Sequence, residues 1–315
     1  MTDKTITIKS AFEHGKAFIP FITAGDPSLD VTEELILACE EAGADLIEIG
    51  IPFSDPTAEG PVIQAANERA LSGGVTTEKI MDMVTRIREK SDIPLVFMTY
   101  ANVVFSYAGG KSQTTGAVDS SSVVSGETGF AVSDSGVMDA ASISVSSSSA
   151  RSDVDGTGEL GNIEAFVEKC HEIGIQGLIL PDVPYEEKSE FDDICKKYGV
   201  DLVSLVAPTS NERIRMIASE ASGFLYCVSS LGVTGMRSTI TTDVGAMTAL
   251  AKQANPDLPT AIGFGISNAE TAKSMSEKAD GVIVGSAIVK IIAEHGAESV
   301  PYVKDFVKIL KDAIR

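Results

Sequence analysis

The 315 residues contain no tryptophan and only three histidines. His14, His171 and His295 lie far apart, in helical or N-terminal stretches, so neither a histidine metal site nor a Ser-His-Asp triad is expected. Cys39, Cys170, Cys195 and Cys227 form no C-x-x-C pair. That argues against a zinc knuckle or a disulfide frame and fits buried thiols in a reducing cytoplasm. Bases are scarce: 25 Lys and Arg face 45 Asp and Glu, and the net charge of −20 repels nucleic acid and anionic lipid. No apolar run reaches the roughly 18 residues of a membrane span. The opening MTDKTITIKSAFEHG lacks the apolar centre of a secretory signal. The chain reads as cytoplasmic, with no nucleic acid and no membrane among its partners.

What is present is repetition. Eight short apolar runs recur at 17–24, 45–51, 93–100, 177–183, 200–208, 223–230, 259–266 and 281–288. They are nearly continuous in apolar residues, as parallel strands buried on both faces require. Amphipathic stretches separate them. VTEELILACEEAG places Leu35, Ile36 and Cys39 on one face, and TTEKIMDMVTRIREK does the same with Ile80, Met83, Val84 and Ile87. Eight such repeats, without a Gly-rich dinucleotide turn after the first strand, predict a (β/α)8 TIM barrel over a doubly wound open sheet.

One segment breaks the rhythm. Residues 108–160 hold fourteen serines, one aromatic (Phe130) and no proline. Without these 53 residues the chain has 262, close to the about 250 of a single barrel. The expected organisation is one barrel domain from 1–107 and 161–315, with 108–160 inserted after strand 3. The composition buries too little apolar surface to fold alone, so disorder is the first expectation and a small β appendage the alternative.

The chemistry is concentrated in DLIEIGIPFSDPTAEGPVIQ (45–64). Alternation puts Glu48 on a face with Leu46 and Gly50, at the C-terminal end of the second strand. A carboxylate buried there either finds a donor in the core or takes a raised pKa suited to general acid/base work. Glu59 sits at the far end of a loop stiffened by Pro52, Pro56, Gly60 and Pro61. Taken alone it reads equally as a solvated loop acid, and Asp55 as a turn cap. Glycine-rich turns follow the last three strands, at 231–238, 263–267 and 285–292, the last opening a helix at Ser286. Together they make an anion cradle, and with no Walker-type lysine the anion is a phosphorylated small molecule. Phe21, Tyr100, Tyr226 and Phe264 fall at strand ends, as packing groups or as walls for a flat apolar ligand. These residues point to acid/base cleavage of a phosphorylated aromatic compound, with no cofactor and no metal.

The motifs FIPFITAGDPS (18–28), LIEIGIPFSDPTAEGPVIQ (46–64), MTYANVVFSY (98–107), LILPDVPYEE (178–187), GVTG (232–235), GFGIS (263–267) and VGSAIVKII (284–292) resemble the α subunit of tryptophan synthase. The resemblance covers the chain except 108–160. It implies retro-aldol cleavage of indole-3-glycerol phosphate, with Glu48 as acid/base at indole C3 and the glycerol hydroxyl. It implies Glu59 as the carboxylate at the indole N–H, a position where Asp is common; Glu adds about 1.5 Å of reach. By the same resemblance Phe21, Tyr100, Ile179, Tyr226 and Phe264 form the indole pocket, and Thr234 positions the loop carboxylate. Gly235, Gly265, Gly285 and Ser286 hold the phosphate. The family's partner is a β subunit in an α2β2 complex, and pyridoxal phosphate belongs to that partner, not to this chain. An insertion after YANVVFSY is expected to weaken that association. Two other readings compete: an inactive α-like regulator of a β subunit, and another phosphate-gripping barrel such as indole-glycerol phosphate synthase.

Overall fold

The computed structural model describes residues 6–109, 157–228, 243–263 and 265–315. Nine parallel strand segments run through it: β1 (Ala17–Thr23), β2 (Ile47–Gly50), β3 (Leu95–Met98), β4 (Gly177–Ile179), β5 (Asp201–Leu202), β6 (Ser204–Val206), β7 (Leu225–Val228), β8 (Thr260–Gly263) and β9 (Gly281–Val284). Their order is β5-β4-β3-β2-β1-β9-β8-β7-β6. The two ends of that order are halves of one extended run, separated by Val203 alone. β5 pairs with β4 and β6 pairs with β7, so the fifth strand closes the sheet on itself. The result is the expected eight-stranded barrel with its fifth strand interrupted.

Helices follow the strands. They are α1 (Leu29–Glu41) after β1, α2 (Pro61–Ser72) and α3 (Thr77–Arg88) after β2, and α4 (Ala101–Phe105) and α5 (Thr157–Glu172) after β3. Then come α6 (Ser189–Tyr198) after β4, α7 (Asn211–Glu220) after β6, α8 (Val244–Ala254) after β7, α9 (Ala269–Ser276) after β8, and α10 (Ser286–His295) and α11 (Ser299–Ile314) after β9. Side-chain caps mark their starts. Ser28, Thr76 and Ser210 accept from Val31, Lys79 and Arg213 N–H, and Asn268 forms a reciprocal box with Thr271. The predicted faces of α1 and α3 are the buried ones. No described helix is long and apolar enough to cross a membrane.

Strand alternation divides the core in two. Phe18, Ile22, Ile47, Ile49, Leu95 and Phe97 pack outward against the helices. Ala17, Ile19, Leu46, Val96, Ile179, Phe224 and Tyr226 fill the lumen. A single 3-10 turn, Ile8–Phe12, plugs the N-terminal end, with Phe12 and Phe224 rings 5.9 Å apart. The opposite end, where all strands finish, is left for the site. The disorder or small β appendage expected for 108–160 lies almost wholly outside the described residues. The helix after it starts at Thr157, inside the boundary drawn at 160. The flanks of that segment meet: Asn162 Nδ2 donates to the Phe105 carbonyl at 2.6 Å, and Tyr107 packs edge-on against Phe166 at 5.5 Å.

Candidate active site

Glu48 reaches the lumen because its strand neighbours Ile47 and Ile49 are committed to the helix layer. It is 1% exposed, and neither carboxylate oxygen has a hydrogen-bond partner among the described residues. A charge there costs several kcal/mol. Burial first, and the charge of Glu59 second, push the Glu48 carboxyl up to about 8, so it holds its proton at neutral pH.

Glu59 arrives by the loop between β2 and α2. Gly60 precedes the helix and Pro61 occupies its first turn, where a missing N–H costs nothing. The loop is pinned at adjacent residues. Ala58 N–H donates to Tyr100 Oη at 3.1 Å, and Gln64 Nε2 donates to the Glu59 carbonyl at 2.8 Å. Glu59 is 8% exposed and its Oε2 accepts from Asn67 Nδ2 at 2.7 Å. Burial pushes it up to about 7, and the Asn67 bond pulls the other way. Phe21, in register with Glu48, packs on the same α2 whose Asn67 holds Glu59, so the two carboxylates border one wall.

The walls around them are apolar and aromatic. Phe21 stands in register with Glu48 and packs against Ile63 and Ala66 of α2 and Val289 of α10. A Cβ on Gly50 would come within 2.6 Å of the Phe21 ring, so only glycine lets the ring lie across the strand. Tyr226 fills the lumen side of β7; burial and then the charge of Glu48 raise its phenol well above the ordinary range. Ile179 lines the lumen from β4. Tyr100 stacks on Phe53 with centroids 5.0 Å apart, and its phenol too is raised, chiefly by burial. On the far side, Gly265 turns with φ +72°, a conformation that favours glycine. Gly285 and Ser286 lie half-buried at the start of α10, where first-turn N–H groups have no helical acceptor.

The structure therefore brings Glu48, Glu59, Phe21, Tyr100, Ile179, Tyr226, Gly265, Gly285 and Ser286 to the C-terminal end of the barrel. Thr234, Gly235 and Phe264 lie outside the described residues. Two contributors escaped the sequence reading. Asn67 is the one polar residue on the buried stripe Ile63, Ala66, Ala70 of α2, a helix that was not anticipated. Asp182 accepts from Ala101 N–H with both oxygens at 3.1 Å, tying the loop after β4 to the one after β3. The signal for Asn67 was an amide on an apolar helical face, legible once 61–72 is read as a helix.

A cleft of about 810 Å³ opens at the other end of the barrel, lined by Lys16, Asp45, Lys252, Asp280 and Lys311 among others. Its two carboxylates are each held by a lysine. Lys311 Nζ lies 2.6 Å from Asp45 and Lys252 Nζ 2.8 Å from Asp280. Among the described residues, the buried carboxyl groups without an ion pair lie instead at the mouth, which is the candidate site. Four described cysteines are free and buried, and no described cluster of His, Cys, Asp and Glu has a metal-binding arrangement.

The family described as tryptophan synthase alpha chain matches residues 8–144 and 160–314. The tryptophan synthase alpha chain of Caldanaerobacter subterraneus subsp. tengcongensis is 41% identical over 304 residues, covering 96% of this chain and 95% of that one. The structure is similar to the tryptophan synthase alpha chain of Legionella pneumophila, with TM-score 0.72 at 28% identity over 98% of this chain and 96% of that one. It is also similar to a chain of the tryptophan synthase α2β2 complex of Pyrococcus furiosus, with TM-score 0.72 at 29% identity over 95% and 98%.

Proposed function

The chain belongs to the tryptophan synthase alpha chain family, and from that premise we propose how its residues divide the work of cleaving indole-3-glycerol phosphate to indole and glyceraldehyde 3-phosphate. This is the carbon–carbon lyase step of tryptophan biosynthesis. Glu48, protonated at neutral pH, gives its proton to indole C3. It takes one back from the adjacent glycerol hydroxyl as the bond between them breaks. The acid thus ends as it began, and the electron pair of the broken bond returns to the ring. Protonation at C3 leaves positive charge at the ring nitrogen, and ionised Glu59 faces that N–H and stabilises it. Phe21, Tyr100, Ile179, Tyr226 and Phe264 sandwich the indole. Gly235, Gly265, Gly285 and Ser286 grip the phosphate, and Thr234 helps to orient Glu59.

One observation carries this reading: two buried carboxylates, one on a strand and one on a loop, border the Phe21 wall with no salt bridge to either among the described residues. A structural pair would be matched by a cation. The reaction needs no cofactor on this chain, and pyridoxal phosphate sits on the β subunit that takes the indole. The chain assembles with that β subunit, and free buried thiols support a cytoplasmic setting. Residues 108–160 form an insertion into a single barrel. Its joined flanks at Phe105 and Asn162 are why the barrel tolerates the added length.

The test is indole release from indole-3-glycerol phosphate by the purified chain, with and without a β subunit, beside Glu48→Gln. Release that rises with β and vanishes in the variant supports the reading. No release under any condition overturns it in favour of an inactive regulator. Deleting 108–160 is expected to tighten β binding, and unchanged affinity in a titration sinks the proposal that the insertion obstructs the interface.

A further inference from the structure

Glu59 is carried on a loop, yet its carboxylate is nearly buried, and the group that meets it there belongs to a helix. Asn67 is 4% exposed, six residues into α2, with its side-chain amide directed at Glu59 Oε2 at 2.7 Å. A buried amide on an apolar helical face needs a partner, and among the described residues Glu59 is that partner, at a distance typical of a charge-assisted bond. The helix that bears it is itself clamped. Arg69, two residues on, makes a two-pronged bond to Asp26 in the loop after β1, at 2.8 and 2.7 Å, with Asp26 1% exposed. Ile63 and Ala66 of the same helix hold Phe21.

We propose that Asn67 is a positioning residue for the loop carboxylate: it fixes one oxygen of Glu59, leaves the other for the indole N–H, and favours the ionised form. The inference rests on the roles proposed above for the two glutamates. The groups that face Glu59 make such a donor necessary. Glu48 on β2 brings no positive charge, and the Tyr100 phenol at the end of β3 already accepts from Ala58 N–H. Asp55 in the same loop and Asp182 after β4 add negative charge around that phenol. Arg69 is committed to Asp26. Asn67 is thus the donor that offsets burial. Its bond to Glu59 acts on the charged form and not on the neutral one.

The experiment is the pH profile of kcat and kcat/KM for indole release by Asn67→Ala and the nearly isosteric Asn67→Leu, with wild type and Glu59→Gln run in parallel. Loss of the donor is expected to lower kcat/KM at pH 7 by about tenfold to a hundredfold, in kcat more than in KM. The acid limb is expected to move to higher pH by about one unit. In the Glu59→Gln background, adding Asn67→Ala is expected to cost little more, since the two act as a unit. If Asn67→Ala does not fold, Asn67→Leu carries the same expectation. Wild type that releases no indole overturns the roles assigned to the glutamates, and this inference with them. Wild-type release with an unmoved acid limb in a folded Asn67 variant overturns this inference alone, since a merely structural amide would leave the limb in place.

Discussion

At the floor of the barrel, Asp280 accepts from Thr260 N–H at 2.8 Å and pairs with Lys252 at 2.8 Å. Burial acts against its charge, but Lys252 and Thr260 outweigh burial and hold it below the usual carboxylate range. Asp45 accepts from Phe18 N–H at 2.7 Å and from Lys311 at 2.6 Å, and Lys311 also donates to the Lys16 carbonyl. At the mouth, Glu48 has no partner among the described residues and Glu59 has one neutral amide. Both are displaced upward. A carboxyl group is thus tied to a lysine at one end of the barrel and left poised to exchange protons at the other. What differs is whether a cation is built beside it, and that separates architecture from chemistry in this fold.

Removing the poised acid is expected to have the largest effect. Glu48→Gln should reduce indole release by about a thousandfold, and a variant retaining a tenth of the activity would place the acid elsewhere. At the floor the same logic predicts lost stability with chemistry intact. Lys311→Ala leaves Asp45 without its cation and should cost about 2–3 kcal/mol in urea unfolding, with the pH profile of the surviving enzyme unmoved. A shifted profile would break the contrast between the two ends.

The contrast also has a sign in stability. Glu48 is pushed up to about 8 from an unfolded value of 4.5, so its contribution is full at acid pH and drains away as pH rises through that interval. Glu48→Gln has no proton to release, so it should be more stable than wild type by on the order of 1–3 kcal/mol at pH 8. That advantage should vanish near pH 4. Equal stability at both values would mean that the carboxylate is solvated. In turnover, ionised Glu59 is required above about 7 and protonated Glu48 below about 8, so wild-type activity should peak narrowly between them. The mildest change is Gly50→Ala. Its Cβ displaces Phe21 and should raise KM about tenfold, with kcat less affected.

The barrel was legible because eight apolar runs of similar length are separated by helices whose buried stripes show at Leu35–Cys39 and Ile80–Ile87. Glu48 was legible because a carboxylate inside such a run violates its pattern. Glu59 was not legible from its own surroundings. Its burial depends on α2 folding over it, a contact no local periodicity encodes, and the family motif supplied its role. The break at Val203 was hidden for a similar reason. Closing the barrel makes one strand change partners, a demand of the whole ring and not of the VDLVSLV stretch. Asn67 was missed because 61–72 is opened by Gly60-Pro61, which reads as loop until Pro61 is seen as the first residue of a helix.

The helix α2 touches three parts of the candidate site from one rigid rod: Asn67 at the loop carboxylate, Ile63 and Ala66 at the Phe21 wall, and a face packed on α10, whose first residues border the proposed phosphate cradle. Positional errors at these three places are therefore correlated. A displacement of the rod carries them together and preserves the distance from one end of the substrate to the other. Three independent loops would have to be machined to the same tolerance separately. Here Arg69 on Asp26 bolts the rod that carries all of them to the loop after β1.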